Sequence, residues 1–390
     1  MKKNFYIFNP QIHSMVGRTL FDFLKNSKIY PKYSFLKKLI KDGDLSILIA
    51  GDYTSNQKKF SNIYLKKLYF FFETYIFKYI EIYLWLIINK INPFNVKISF
   101  NISNIKKDDT LLIFSNLNLD QDYRVSKNVS ILSSIDCKKI VHLSHYIFKT
   151  KIISDNCKKI NRMYFIAENN LKKNSKYFNY YFNFYEKQFF NIPYSVRKKF
   201  IYKNNFKLRK NKCLSLGSFQ LYKKNNPDIK EINEFYNSDT IHKIRKEIYF
   251  NKEKFKNYFK CLSEPIYKTE TYFKAKYYDF DIVEQLNSYK MFIVGEEYGD
   301  SPGVLFAEGM KTGSVYLGYN NDIYKDLGMI DGVHYISHNN TLEDIVDKII
   351  FYQSNIDKLE NISRNGLDLA VEKFNETYVT NELKKIINLV

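Results

Sequence analysis

The sequence predicts an α/β protein of two Rossmann-like domains, residues 1–196 and 197–390, facing across a cleft. Three observations carry this. Short apolar runs alternate with longer stretches of helical period, as in a parallel sheet whose strands are covered on both faces. The 390 residues suffice for two cores of ordinary size. A polar, basic stretch, Arg197–Lys212, separates two series of candidate strands and reads as a linker.

In the first series the strands are Phe5–Phe8, Leu45–Ala50, Leu111–Ser115, Ile140–Leu143 and Met163–Ala167, each rich in Ile, Leu, Val or Phe and bounded by polar residues. Asn191-Ile-Pro-Tyr-Ser-Val196 closes that half. The second series runs through Cys213–Leu216, Met291–Val294, Ser314–Leu317 and His334–Ile336. Helical patterns lie between and after them, notably Leu342–Gln353 and Ile356–Lys373, with the last helix available to pack back on the N-terminal domain. In sheets of this kind ligands bind beyond the carboxyl ends of the strands, so the site is expected in the cleft.

The chain carries 61 Lys and Arg against 41 Asp and Glu, a formal charge of +20. Its wealth of Lys, Asn, Ile, Tyr and Phe is what an A/T-rich coding sequence produces, and the basic residues are spread rather than blocked. Such a surface attracts nucleotide sugars and anionic lipid headgroups, and nucleic acid is not the expected partner. Cys137, Cys157, Cys213 and Cys261 are far apart and form no C-x-x-C pair, which argues against structural zinc and a disulfide framework and for a reduced, cytoplasmic protein. The opening Met-Lys-Lys-Asn-Phe-Tyr-Ile-Phe has too short an apolar run for a signal peptide and suits a first buried strand.

Leu68–Ile88 is nearly long enough to span a membrane, but Glu73, Lys78 and Glu81 make spanning costly. Two readings stand: a buried helix of the N-terminal domain, or a helix in the membrane interface with Trp85 and the tyrosines at headgroup level.

The chemistry concentrates in Ile293–Gly313, which runs strand, glycine-bearing loop, helix start and glycine stop. Pro302 fits a first helical turn, and Gly303 lets a ligand approach the backbone. The N–H groups of Gly303, Val304 and Leu305 would face a ligand above the helix, and a diphosphate suits them. Glu308 is placed to take a hydroxyl pair such as a ribose, and Asp300, eight positions earlier, the hydroxyls of a sugar.

This run resembles the acid-x7-acid signature of retaining, family-four-type glycosyltransferases of the GT-B fold, with Asp300 and Glu308 as the pair and Gly309-Met-Lys-Thr-Gly313 as the small-residue helix end. The family has Glu where Asp300 stands, and Glu296 and Glu297 lie just upstream as substitutes. The likeness continues through Tyr319–Tyr335 and the helix toward Gly366. Cys213–Lys224 is similar to the family's strand ending in Gly217, with Ser218 where an Arg is common and Lys223 or Lys224 to neutralise the departing diphosphate in place of a metal. Asn191–Val196 is similar to the Pro-containing segment that ends the family's N-terminal domain.

On the acceptor side, His145 ends Ile140–His145 at the mouth of a strand, much as the family places a His there, while His142 lies within the strand and suits the core. His13, in the loop after the first strand, and Gly17, late for the family's glycine-bearing loop, belong to the same side. There is no phosphate loop of the G-x-x-x-x-G-K-[ST] type, no G-x-G-x-x-G and no H-E-x-x-H. The D-x-D triplets Asp42–Asp44, Asp120–Asp122 and Asp279–Asp281 match a metal-dependent pattern too easily by chance to count. The resemblance implies a metal-independent glycosyltransferase needing no cofactor, moving sugar from a nucleotide-sugar donor to a glycan or lipid-linked acceptor. An inverting enzyme of the same fold, or a non-catalytic basic protein binding nucleic acid or membrane, are the alternatives.

Overall fold

The computed structural model describes residues 3–10, 28–29, 33–50, 63–72, 76, 78–120, 125–143, 146–221, 230–267, 280–298 and 302–390. The chain forms two compact units. One comprises Met1–Ile166, Phe184–Gln188 and Thr380–Val390; the other comprises Ala167–Asn183 and Phe189–Val379.

The first unit is built on β1 (Phe5–Phe8), β2 (Ser46–Leu48), β3 (Ile98–Ser99), β4 (Thr110–Phe114), β5 (Lys138–His142) and β6 (Met163–Ala167). These are parallel, in the order β3-β2-β1-β4-β5-β6, six of the seven strands of their sheet. All four residues of β1 and all five of β4 are buried, as the unbroken apolar runs predict for strands covered on both faces. The Asp109 carboxylate fixes the β1–β4 register by accepting from the Asn4 backbone at 2.8 Å, the Asn4 amide at 3.0 Å and Lys106 N at 2.9 Å. His142 is a core residue, stacked on Phe114 with centroids 5.0 Å apart and meeting Tyr33 edge-on at 5.5 Å.

The Leu68–Ile88 stretch contributes to two helices, α1 (Ile63–Phe72) and α2 (Lys78–Ile88). Trp85 is buried on the inner face of α2 with Glu81, Ile82 and Leu86, so the headgroup position that one of the two readings gave it is not the one it takes. Helical periodicity explains this: positions 81, 82, 85 and 86 share one stripe, and the largest ring takes the inside.

β7 (Phe189–Asn191), the seventh strand of the first sheet, belongs by its packing to the second unit. There follow β8 (Lys210–Ser215), β9 (Phe219–Leu221), α3 (Lys243–Phe250), β10 (Phe259–Cys261), β11 (Pro265–Tyr267), α4 (Ile282–Ser288), β12 (Tyr289–Ile293), α5 (Leu305–Met310), β13 (Val315–Tyr319), β14 (Ile336–His338), α6 (Leu342–Gln353) and α7 (Ile356–Lys373). The chain ends in α8 (Glu376–Leu389), most of which groups with the first unit. The main sheet is parallel, ordered β10-β8-β12-β13-β14, while β9 and β11 pair separately. From β8 the chain crosses to one side to make β10 and then to the other to make β12, so the switch point lies between β8 and β12. Alternate residues of β12 serve two cores: Phe292 meets Phe306, Tyr316 and Phe374, while Met291 and Ile293 meet Ile244, Ile248 and Ile349.

Two readings are corrected here. Arg197–Lys212 is no solvated linker: Phe200, Phe206 and Arg209 are buried, and Arg209 Nη2 donates to Thr312 O at 2.7 Å. Its basic residues cover two buried rings and mask them in a polarity reading. The last strand lies at Ile336–His338 rather than His334–Ile336, because the His334 ring accepts from Ile330 N at 3.0 Å and closes a turn first.

Gly309 shows why a small residue ends α5. A Cβ there would sit 2.2 Å from Cζ of Phe292. Gly309→Ala is therefore expected to destabilise the protein by about 1–3 kcal/mol despite the better helix propensity of Ala. Denaturant unfolding of that variant and of Gly309→Ala/Phe292→Leu, which makes room and recovers part of the loss, checks this; wild-type stability in the single variant would contradict the packing.

Candidate functional site

Beyond the carboxyl ends of β8 and β12 the chain turns at two glycines with positive φ, Gly217 at +100° and Gly295 at +54°. Arg245, projecting from α3, lies between those turns and is buried. Its Nη1 donates to Ser218 O at 2.8 Å, its Nη2 to Gly295 O at 3.1 Å, and its Nε to Val294 O. One guanidinium thus clamps both strand ends at the switch point. A Cβ at Gly217 would come within 2.7 Å of the guanidinium carbon, so it is Arg245 that the glycine admits here. The same side chain reaches toward the next loop, since Nη2 is the nearest group, at 3.9 Å, to a Cβ built on Gly303.

That loop leads into α5, which starts at Leu305, with Val304 at its cap. Pro302 and Gly303 precede the helix instead of forming its first turn: the Pro302 carbonyl accepts from the Tyr194 hydroxyl at 2.8 Å. Among the described residues, no oxygen accepts from the N–H groups of Gly303, Val304 or Leu305, whereas Phe306 N bonds Gly303 O at 3.2 Å and Glu308 N bonds Val304 O at 3.2 Å. Three adjacent amides therefore remain for a ligand on the loop facing Arg245.

Glu308 is almost wholly buried, and its carboxylate is gripped by Arg197, Nε to Oε1 at 2.5 Å and Nη2 to Oε2 at 2.8 Å. Burial pushes its pKa above the usual range, and the guanidinium opposes the rise. Glu297 remains a quarter exposed, with Oε1 3.3 Å from Nε2 of His242, the residue capping α3. Glu296 turns away into the core, where Oε1 accepts from Tyr319 N at 2.9 Å, the Tyr316 hydroxyl at 3.0 Å and the Tyr324 hydroxyl. Tyr298 continues the loop, stacked on Tyr236 with centroids 4.6 Å apart and its N bonded to Ile241 O at 2.9 Å.

Of the residues singled out in the sequence, Gly217, Ser218, Glu297, Pro302, Gly303, Val304, Leu305 and Glu308 belong to this one unit and gather around β8, β12 and α5. Asp300, Lys223, Lys224, His145, His13 and Gly17 lie outside the described residues. Asp281, from one of the D-x-D triplets, caps α4 by accepting from Val283 N at 2.8 Å and Glu284 N at 3.3 Å. Arg245, Arg197, Tyr194 and His242 escaped sequence reasoning. One signal was present: only 7 of the 61 basic residues are Arg, and Arg197, Arg209 and Arg245 all make multidentate, partly or fully buried contacts that Lys cannot make.

No family model and no curated protein matches the chain. Among solved structures it is similar to HepE of Anabaena in complex with UDP, at 10% identity over 100% of both chains with a TM-score of 0.47. It is similar to sucrose-phosphate synthase of Thermosynechococcus elongatus at 7% identity, over 100% of this chain and 99% of that one, TM-score 0.49. It is also similar to TarM at 13% identity and a TM-score of 0.42, over 73% of this chain, and spans 56% of TarM's length.

His242 gives the site a pH signature. Burial, then the neighbouring Arg245, lowers its pKa from 6.5 to about 4, against the pull of Glu297. Between those values the unfolded chain binds more protons than the folded one, so stability falls as the pH drops through that window, by on the order of 3 kcal/mol. His242→Gln is expected to flatten that part of the acid dependence in denaturant midpoints taken between pH 7 and pH 4.5. Parallel curves for variant and wild type would mean that the imidazole is not held neutral.

Proposed function

We propose that this protein is a glycosyltransferase of GT-B type that moves a sugar from a nucleotide-sugar donor to a glycan or lipid-linked acceptor, without a metal and with retention of configuration. One observation carries the reading. At the switch point of the second sheet a buried guanidinium and three adjacent backbone amides without acceptors among the described residues converge on a glycine-bounded turn. Anionic diphosphate is the ligand class that such a place favours.

In this reading the donor's diphosphate lies over Gly303–Leu305, within the field of Arg245, and Lys223 or Lys224 adds a further cation. Glu308 takes the ribose hydroxyls, its orientation set by Arg197, while Asp300, or Glu297 beside it, takes the transferred sugar. As the bond from the anomeric carbon to the leaving oxygen breaks, negative charge grows on the diphosphate, and fixed positive groups stabilise that state more than the ground state. The acceptor oxygen attacks from the same face and its proton passes to the leaving phosphate; His145, His13 and the Gly17 loop are assigned to the acceptor side. A lipid-linked acceptor would set the reaction at the cytoplasmic face of a membrane.

Purified protein with a panel of nucleotide sugars is expected to turn over one of them and to be stabilised thermally by it. Glu308→Gln and Lys223→Ala/Lys224→Ala are each expected to lower kcat/KM by about 10²-fold or more. If turnover is indifferent to both, the donor site has been misplaced. Arg245→Lys keeps the charge but not the fork, and a loss of about tenfold or more in kcat/KM is expected from the altered loops. The anomeric configuration of the product, read by proton NMR, distinguishes retention from inversion.

A further inference from the structure

α1 and α2 carry a run of exposed apolar side chains. Tyr64, Leu65, Leu68, Phe71 and Phe72 on α1, Ile76 after it, and Tyr79, Ile80, Tyr83 and Ile87 on α2 are each between 38% and 78% exposed, and Phe94, just beyond α2, is 93% exposed. On α2 these positions form the stripe opposite buried Glu81, Ile82, Trp85 and Leu86. The outer stripe thus carries aromatic and branched residues where charge is usual. An exposed apolar run of this size marks an interaction surface.

The chemistry around the stripe identifies the partner. Lys67 on α1 and Lys90 past the end of α2 are exposed, and the acid in the described residues of the two helices, Glu81, is buried. Beyond Phe94, Asn95 and Lys97 line a cavity of about 350 Å³ with Lys3, Lys384 and Asp44, the last two paired at 2.6 Å. Apolar surface, outward tyrosines and the exposed Lys67 and Lys90, with no exposed acid among the described residues of the two helices, suit a layer of anionic headgroups above acyl chains. A second copy of this chain suits them less: a two-fold contact would set Lys67 and Lys90 of both copies in one interface, between molecules of charge +20. No helix among the described residues is long and apolar enough to cross a membrane, so the contact is one of lying on it.

We propose that the outer face of α1 and α2, with Phe94, is a docking surface that sits in the headgroup layer of an anionic membrane. The proposal stands independently of the donor site. It is tested by co-sedimentation of the full chain with vesicles of phosphatidylcholine, with and without phosphatidylglycerol. Binding is expected to the anionic vesicles and to weaken with salt. Tyr79→Ser/Ile80→Ser/Tyr83→Ser/Ile87→Ser is expected to weaken it about tenfold or more. Lys67→Glu/Lys90→Glu, which leaves the core untouched, is expected to cost about tenfold and keeps the test open should the first variant fold poorly. Unchanged vesicle binding by the Lys variant and by a well-folded Ser variant overturns the proposal. So does sedimentation velocity showing a lipid-free dimer that the Ser variant abolishes.

Discussion

The second unit depends on one cation. Arg245 donates to carbonyls on both sides of the β8–β12 switch point, and its three acceptors, at residues 218, 294 and 295, belong to two loops far apart in sequence. The three carbonyls lie in the loops that follow β8 and β12. A buried carbonyl left without a donor costs about 1–3 kcal/mol, so three at one place would splay the loops apart. A guanidinium suits because its donors diverge in one plane, and an ammonium cannot cover the same acceptors from one position. The glycines follow from this: Gly217 has no Cβ because the plane of Arg245 fills the space a Cβ would take.

Around that clamp, segments distant in sequence fix the loop before α5. Tyr194 holds the Pro302 carbonyl, and Arg197, three residues later, grips Glu308 one helical turn into α5. Val196 N bonds Phe374 O at 2.9 Å and Asn191 Nδ2 donates to Asp326 O at 2.6 Å, so this short run is stitched to the second unit along its length. A segment that reads in sequence as the end of one domain thereby becomes a wall of the candidate site.

What was legible follows from what kind of force shapes each part. Buried parallel strands announce themselves because covering both faces demands unbroken apolar runs, and Phe5–Phe8 and Met163–Ala167 fall where the runs fall. Helices α6 and α7 were equally plain from their period. The short strands β3, β7, β9, β10 and β11 were not, since two or three residues carry too little pattern to distinguish from coil. In the site, the glycine loops and Glu308 were visible as local motifs. Arg245 was not, because its role comes from packing α3 against strand ends that its own sequence neighbourhood does not contain. The clue lay in composition, where an Arg amid so many Lys marks a place that needs the fork.

The same reasoning bears on how the site handles charge. α5 is only six residues long, so its dipole is weak and its amides act mainly as individual donors. Glu308 adds a buried negative charge within one turn of those amides, which by itself would oppose an anionic ligand. Arg197 offsets that charge through a two-point contact, and Arg245 stands beside the loop as a second cation. The two arginines differ in their partners: Arg197 pairs with a carboxylate, while Arg245 donates to neutral backbone carbonyls. Exchanging Arg197 for an uncharged residue would therefore do more than loosen Glu308. Burial already raises that carboxyl's pKa, and without its partner the rise would be unopposed, favouring the protonated form and weakening the acceptor geometry on which the proposed ribose contact rests.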